Sequence, residues 1–129
     1  MSLSLSDPSL LKSQAYVDGQ WIDADDGATF PVTNPANGEL ITNVAKLGAA
    51  ETARAVAAAD AAMQSWKKQP AKARAGIIRK WYDLMMANQE DLAQIMTAEQ
   101  GKVIAESRGE IAYGAAFVEW FGEEAKRID

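Results

Sequence analysis

Cysteine and histidine are both missing from this sequence, and the two absences together remove several chemistries. Thiolate nucleophiles, zinc sites built on Cys and His, imidazole acid-base catalysis and triads that need a His have no residue to carry them. Disulfide stapling is excluded as well. Positive charge is in the minority: thirteen Lys and Arg face eighteen Asp and Glu, for a net charge of −5. That balance argues against nucleic acid or an anionic membrane as a partner. The longest basic cluster, Lys67 with Lys68, reads as the solvated end of a helix near the negative pole of its dipole. No apolar run is long enough to span a bilayer and no signal-peptide core is visible, so the expected compartment is the cytoplasm. Met1 to Leu5 is too short and Ser-rich for a targeting segment and reads as a flexible arm or a remnant of expression. The glycine patterns of dinucleotide and P-loop sites are also missing.

What is present fits one ordinary soluble domain: 48% hydrophobic and 24% charged residues over 129 positions, enough to bury a core. The first half reads as short strands and turns. In AYVDGQWIDA the Asp18-Gly19 pair lies between Tyr16, Val17, Trp21 and Ile22, a strong hairpin signal. In TFPVTNPANGELITNV, Pro31 and Pro35 flank an edge strand, and Asn37-Gly38 turns into a second strand, Glu39 to Val44.

From Gly48 the period lengthens to that of a helix. Thr52, Val56, Ala59, Met63 and Trp66 recur at helical spacing, and the helix ends near Gln69 before Pro70, which opens the next one. In that second helix Ile77, Trp81, Leu84 and Met85 form the expected buried stripe, with Arg74, Lys80 and Asp83 off it. In a short third helix Asn88 is placed to cap and Asp91 to complete a loose capping box; Leu92, Ile95 and Met96 point inward and Gly101 ends it.

The stretch Glu99 to Arg127 reads as a helix with two apolar faces. At about 100° per residue, Ile104, Ile111, Ala115, Val118, Gly122 and Ala125 share one stripe, and Tyr113, Phe117 and Trp120 lie nearly opposite. A surface helix has one apolar stripe and one polar face, so this one is expected to need cover on both sides, and the chain reads as a piece of a larger protein. Gly109, Gly114 and Gly122 inside the pattern suggest close packing of a neighbour. Glu106, Glu110 and Glu124 share the aromatic face; they read as a solvated or salt-bridged surface or, with more protein added, as the border of a pocket. No spacing marks them as a glycosidase acid-base pair. The four tryptophans read as core or interface residues rather than a stacking platform for bases.

The hairpin AYVDGQW, the phrase VTNPANGE, the Ala-rich helix closing on Trp66, RKWYDLMMANQEDLAQIMTAEQGK and GEIAYGAAFVEWFGEEAKR, in that order and spacing, resemble the amino-terminal part of an aldehyde dehydrogenase. AEQGK followed by GEIAYGAAFVEWFGEEAKR is most similar to the succinate-semialdehyde dehydrogenases, with Val103 where a proline commonly follows GK. The resemblance implies an α/β fold in the full protein, to which residues 1–129 contribute amino-terminal β-hairpins followed by about four α-helices as part of the cofactor-binding domain. It implies oxidation of an aldehyde through a cysteine thioester with NAD or NADP, in a full-length homodimer or homotetramer. The catalytic cysteine, the glutamate, the oxyanion asparagine, the cofactor-binding residues and the oligomerisation strands of the family all belong to later sequence. No catalytic or cofactor-binding residue is therefore assigned within 1–129, and the segment alone is expected to be inactive and to show partial order or self-association.

Three positions carry over to a structural Na⁺ or K⁺ site of the family: the backbone carbonyls of Val32 and Thr33 and the carboxylate of Glu99, all hard oxygen donors. The resemblance also places Gly109, Tyr113 and Phe117 along a substrate tunnel, the rings giving an apolar wall to the aldehyde. The alternatives are a dehydrogenase for glutarate semialdehyde or another aldehyde, and an independent helical module that docks a partner through Tyr113, Phe117 and Trp120.

Overall fold

The computed structural model describes residues 3–127. Two antiparallel hairpins precede four helices. Strands β1 (Ala15–Val17) and β2 (Gln20–Ile22) form the first hairpin. Its two-residue turn has positive φ at both Asp18 (49°) and Gly19 (77°), the backbone that matches the twist of the flanking strands and favours Asp-Gly. Strands β3 (Thr29–Thr33) and β4 (Leu40–Ala45) form the second, with a register irregularity between Val32 and Thr33. Pro31 is tolerated because every strand of a two-stranded sheet has an outer edge that needs no donor. The connecting loop is fixed by its own side chains: Asn34 Oδ1 accepts from Ala36 N at 2.9 Å and Asn37 Oδ1 from Glu39 N at 3.0 Å. Ala45 N donates to Ser13 O at 2.8 Å and Lys46 N to Ala28 O at 2.9 Å.

The helices are α1 (Ala49–Trp66), α2 (Ala71–Ala87), α3 (Gln89–Gln100) and α4 (Ile104–Glu124). The stretch expected as one helix from Glu99 is broken at Gly101, whose φ of 71° closes α3 in the left-handed conformation, so Glu99 belongs to α3. Pro70 is the residue that precedes α2 rather than its first helical position. The helical layer is held by α4, which packs against both α2 and α3, whereas α1 touches the other elements only slightly.

Three expectations about side chains are corrected. In α2 the face turned to α4 carries Ala75, which is buried, with Ile78, Tyr82 and Met85 half-buried, while Ile77, Trp81 and Leu84 are exposed. The stripe of largest residues is the outward one; the inward seam uses a small residue so that the helices can approach. Arg74, expected off the buried stripe, has its Nε buried. Asp91 completes no capping box: its oxygens accept from Ser6 N at 3.0 Å and Asp7 N at 2.8 Å, and Asn88 makes no side-chain cap, its amide donating to Leu84 O at 2.8 Å. The start of the chain is thus tied to α3, and Leu3 and Leu5 are half-buried; Met1 and Ser2, the rest of the expected arm, lie outside the described residues.

Glu51 is a second tether. Its carboxylate accepts from Asp25 N at 3.1 Å and from Gly48 N at 3.0 Å, and Arg54 grips the Asp25 carboxylate with two bonds of 2.9 and 2.6 Å. The amide of Asp25, then that of Gly48 and the nearby Arg54 charge, hold the Glu51 carboxyl below its ordinary value.

The core is unusual in its residue sizes. Among the described residues the buried apolar positions are Ala24, Ala75, Ala93 and Ala115, joined by buried Ser107, Asp91 and Glu51. No large hydrophobic side chain among the described residues reaches that burial, although 48% of the sequence is hydrophobic. Burying a Leu- or Phe-sized side chain is worth about 1.5–3 kcal/mol; Ile78, Leu92, Ile95, Met96 and Ile111 are half-buried and gain part of that, while Trp81, Phe117, Trp120 and Phe121 stay exposed.

Candidate functional site

Helix α4 separates its two faces cleanly. On the inward face Ser107, Ala115 and Gly122 are buried, and Ile104, Ile111, Val118 and Ala125 are half-buried. The spacing found the apolar members of this stripe and missed Ser107, whose hydroxyl is satisfied by Thr97 Oγ1 at 2.8 Å. A Cβ on Gly122 would lie 3.1 Å from Ile78 Cγ2, and one on Gly114 3.9 Å from Met85 Cε, whereas Gly109 faces open space. Close packing accounts for Gly122, is loose at Gly114 and does not apply at Gly109. The seam is flanked by ion pairs: Arg79 with Glu119 at 2.9 Å between α2 and α4, and Arg108 with Glu90 by two bonds of 2.7 and 2.8 Å between α3 and α4.

The outward face is apolar and open. Tyr113, Phe117, Trp120 and Phe121 are 67%, 49%, 61% and 61% exposed, and with Ala116 they line a groove of about 340 Å³. Tyr113 and Phe117 meet edge to face, ring centroids 4.9 Å apart, a geometry that fixes one ring against the other. Phe121 was missed by the sequence reading; extending the helical spacing from Tyr113 and Phe117 by one more turn reaches it. Gly109 is not a lining residue of this groove, although it lies one helical turn before Tyr113. Of the acidic residues on the aromatic side, Glu110 pairs with Lys102 and Glu124 with Arg127 at 3.4 Å, so both serve local pairing. The groove offers shape and apolar surface, with no nucleophile and no acid-base pair.

The second candidate region is the corner between β3 and α3, which touch each other. Val32 and Thr33 are the last residues of β3 and Glu99 is in the last turn of α3, exposed. Gly101 is needed here, since a Cβ at that position would lie 2.9 Å from Pro35 Cγ. The structure therefore brings the strand end and the helix end together. Among the described residues no group of three or more Asp and Glu side chains could hold a metal ion, so any ion in this corner would rely on backbone carbonyls and a single carboxylate. No helix among the described residues is long and apolar enough to cross a membrane.

Comparison with known proteins assigns the family. The family described as "Aldehyde dehydrogenase family" matches residues 21–129. This chain belongs to the aldehyde dehydrogenase family. It is 60% identical over 126 residues to a glutarate-semialdehyde dehydrogenase of Pseudomonas aeruginosa, covering 98% of this chain and 26% of that protein. It is 51% identical over the same length to the succinate-semialdehyde dehydrogenase [NADP(+)] of Escherichia coli, again covering 98% and 26%. Among solved structures, it superposes on a succinate-semialdehyde dehydrogenase from Burkholderia pseudomallei with a TM-score of 0.95 at 57% identity, covering 98% of this chain and 26% of the other. The chain thus spans about a quarter of the length of these relatives, and it matches their amino-terminal part. The hairpins and four helices of this aldehyde dehydrogenase chain are those of its structural neighbours.

Proposed function

We propose that this chain is the amino-terminal part of the cofactor-binding domain of an NAD(P)-dependent aldehyde dehydrogenase that oxidises succinate semialdehyde, a short aldehyde carrying a carboxylate at its far end. The observation that carries the reading is the coincidence of sequence and shape: identity above 50% and a TM-score of 0.95 over 98% of the chain, both to enzymes named for such substrates. Residues 1–129 supply scaffolding and one apolar wall. Tyr113 and Phe117 line the wall, with Gly109 extending it one turn, and the reacting groups come from the remainder of the enzyme. Without a cysteine the chain cannot form a thioester, so it is inactive alone. The cofactor supplies the hydride acceptor when bound; no described glycine-rich loop of this chain cradles its phosphates. In the corner of β3 and α3, the carbonyls of Val32 and Thr33 and the Glu99 carboxylate are oxygen donors suited to a hard Na⁺ or K⁺ ion. The whole enzyme works in the cytoplasm as a homodimer or homotetramer.

A second reading, glutarate semialdehyde, is favoured by the 60% identity to the Pseudomonas aeruginosa enzyme. One methylene is worth only about 1–3 kcal/mol of discrimination, so the two substrates differ by degree. The independent helical module loses its basis, because the family match takes in the aromatic face it would have used.

The test is a panel of aldehydes offered to the purified parent enzyme with NAD and with NADP, the 129-residue chain serving as control. The ω-carboxyl aldehydes should give the highest kcat/KM and the control no turnover. Preference for an uncharged aldehyde, or turnover by the control, overturns the reading.

A further inference from the structure

Four of the five arginines of this chain are held in ion pairs. Arg54 holds Asp25, Arg79 holds Asp83 and Glu119, Arg108 holds Glu90 and Arg127 holds Glu124, and these four side chains are all exposed, from 46% to 70%. Arg74 is the exception among the described residues: it is less exposed than the others, its Nε is buried without an acceptor, and no ion pair engages it. A guanidinium does not deprotonate in proteins. Its Nε–H is therefore a buried donor left unsatisfied, which is costly, while the half-buried guanidinium keeps its charge at the groove. Among the described residues no acidic side chain is paired with Arg74.

The surroundings say where an acceptor would come from. Arg74 lies in the first turns of α2 beside the end of α1, on the wall of a groove of about 320 Å³ that it shares with Trp66, Gln69, Ala73 and Ile77. The groove accommodates one or two side chains. On either side of it the apolar surface continues uncovered, with Met63 on α1 and Ile77 and Trp81 on α2 exposed. A mostly apolar groove with Arg74 as the one cation among its lining residues fits a polypeptide segment that carries one acid better than it fits a free small anion.

We propose that Arg74 pairs with the carboxylate of an Asp or Glu on a segment of the same enzyme outside residues 1–129, seated in the groove between α1 and α2. This rests on the reading of the chain as part of a larger aldehyde dehydrogenase, whose relatives are about four times as long. The pair fixes the covering segment in register, because the planar fork of a guanidinium accepts a carboxylate in few orientations.

The test uses the whole parent enzyme. In an Arg74→Lys variant, a carbodiimide joins the new amine to any carboxylate in contact with it, and peptide mapping identifies the residue joined. The expected product links position 74 to one acidic residue beyond residue 129, and an Arg74→Met variant melts at least about 2 °C below wild type. Coupling to an acid within residues 1–129, or no coupling with a Met variant as stable as wild type, overturns the proposal. A destabilised Met variant with no coupled carboxylate also overturns it, in favour of a backbone carbonyl as the acceptor. Aldehyde oxidation by the wild-type enzyme, measured alongside, reports on the function independently of any of these outcomes.

Discussion

The two faces of α4 are built on opposite principles. The inward face is made of Ser107, Ala115 and Gly122 and gains its stability from close approach, helix against helix. The outward face is made of Tyr113, Phe117, Trp120 and Phe121 and leaves most of their surface open. The most deeply buried positions of this chain are small residues, with Ile104, Ile111 and Val118 half-buried beside them, and the aromatic side chains of α4 face outward. The same division runs through α2, where Ala75 is inward and Ile77, Trp81 and Leu84 are outward. An isolated domain of ordinary design would do the reverse and bury its largest side chains.

The comparison breaks most readily at Gly122. A Gly122→Val substitution in the parent enzyme places methyl groups against Ile78, only 3.1 Å from the position of the new Cβ, and should cost about 3 kcal/mol, read as a shift in the denaturation midpoint. Adding Ile78→Ala should return part of the loss; failure to do so would show that the seam is not what limits the substitution.

Next in size is the tether that holds the first residues to α3. Asp91→Ala leaves the amides of Ser6 and Asp7 without their acceptor and should cost about 2 kcal/mol, with proteolysis near residue 6 becoming faster. Unchanged proteolysis would mean that the packing of Leu3 and Leu5 suffices.

A smaller effect is expected from acid at Glu51. Its folded pKa is lowered below the ordinary 4.5, so the unfolded chain takes up the proton first as pH falls. The Glu51 contribution is complete above the ordinary value and is lost as pH falls through the lowered folded one. Wild type and Glu51→Gln should therefore differ in stability at neutral pH and converge in acid, and curves that stay parallel would remove Glu51 from the account.

The smallest expected effect is on the outward face. In the 129-residue chain Tyr113→Ala should change stability by no more than about 0.5 kcal/mol, as at other exposed positions. A loss of several times that size would show that the aromatic face is packed within the chain.

Much of the fold was legible in the sequence wherever one residue dictates the backbone. Asp18-Gly19 specified its hairpin and Gly101 the end of α3, because both require positive φ. The two-faced character of α4 followed from periodicity alone. In α2 the inward and outward stripes are both apolar, and size pointed to the wrong one: the seam depends on Ala75 meeting Gly122 across two helices, a pairing that no local pattern contains. Asp91 and Arg74 were misplaced for a related reason. Their environments are set by residues 85 positions away for Asp91 and by the α1–α2 groove for Arg74, whereas the sequence showed only their neighbours. The aromatic groove was legible as a face, because Tyr113, Phe117 and Trp120 recur at helical spacing.

The measurement that bears most directly on the account is the steady-state kinetics of a Phe117→Ala variant of the parent enzyme, with succinate semialdehyde and cofactor varied in turn. If the outward face of α4 forms a wall for the aldehyde, kcat/KM for the aldehyde falls about tenfold, a loss of roughly 1.4 kcal/mol in transition-state binding, while KM for the cofactor is unchanged. Equal kcat/KM for variant and wild type, or a change confined to the cofactor, would contradict it.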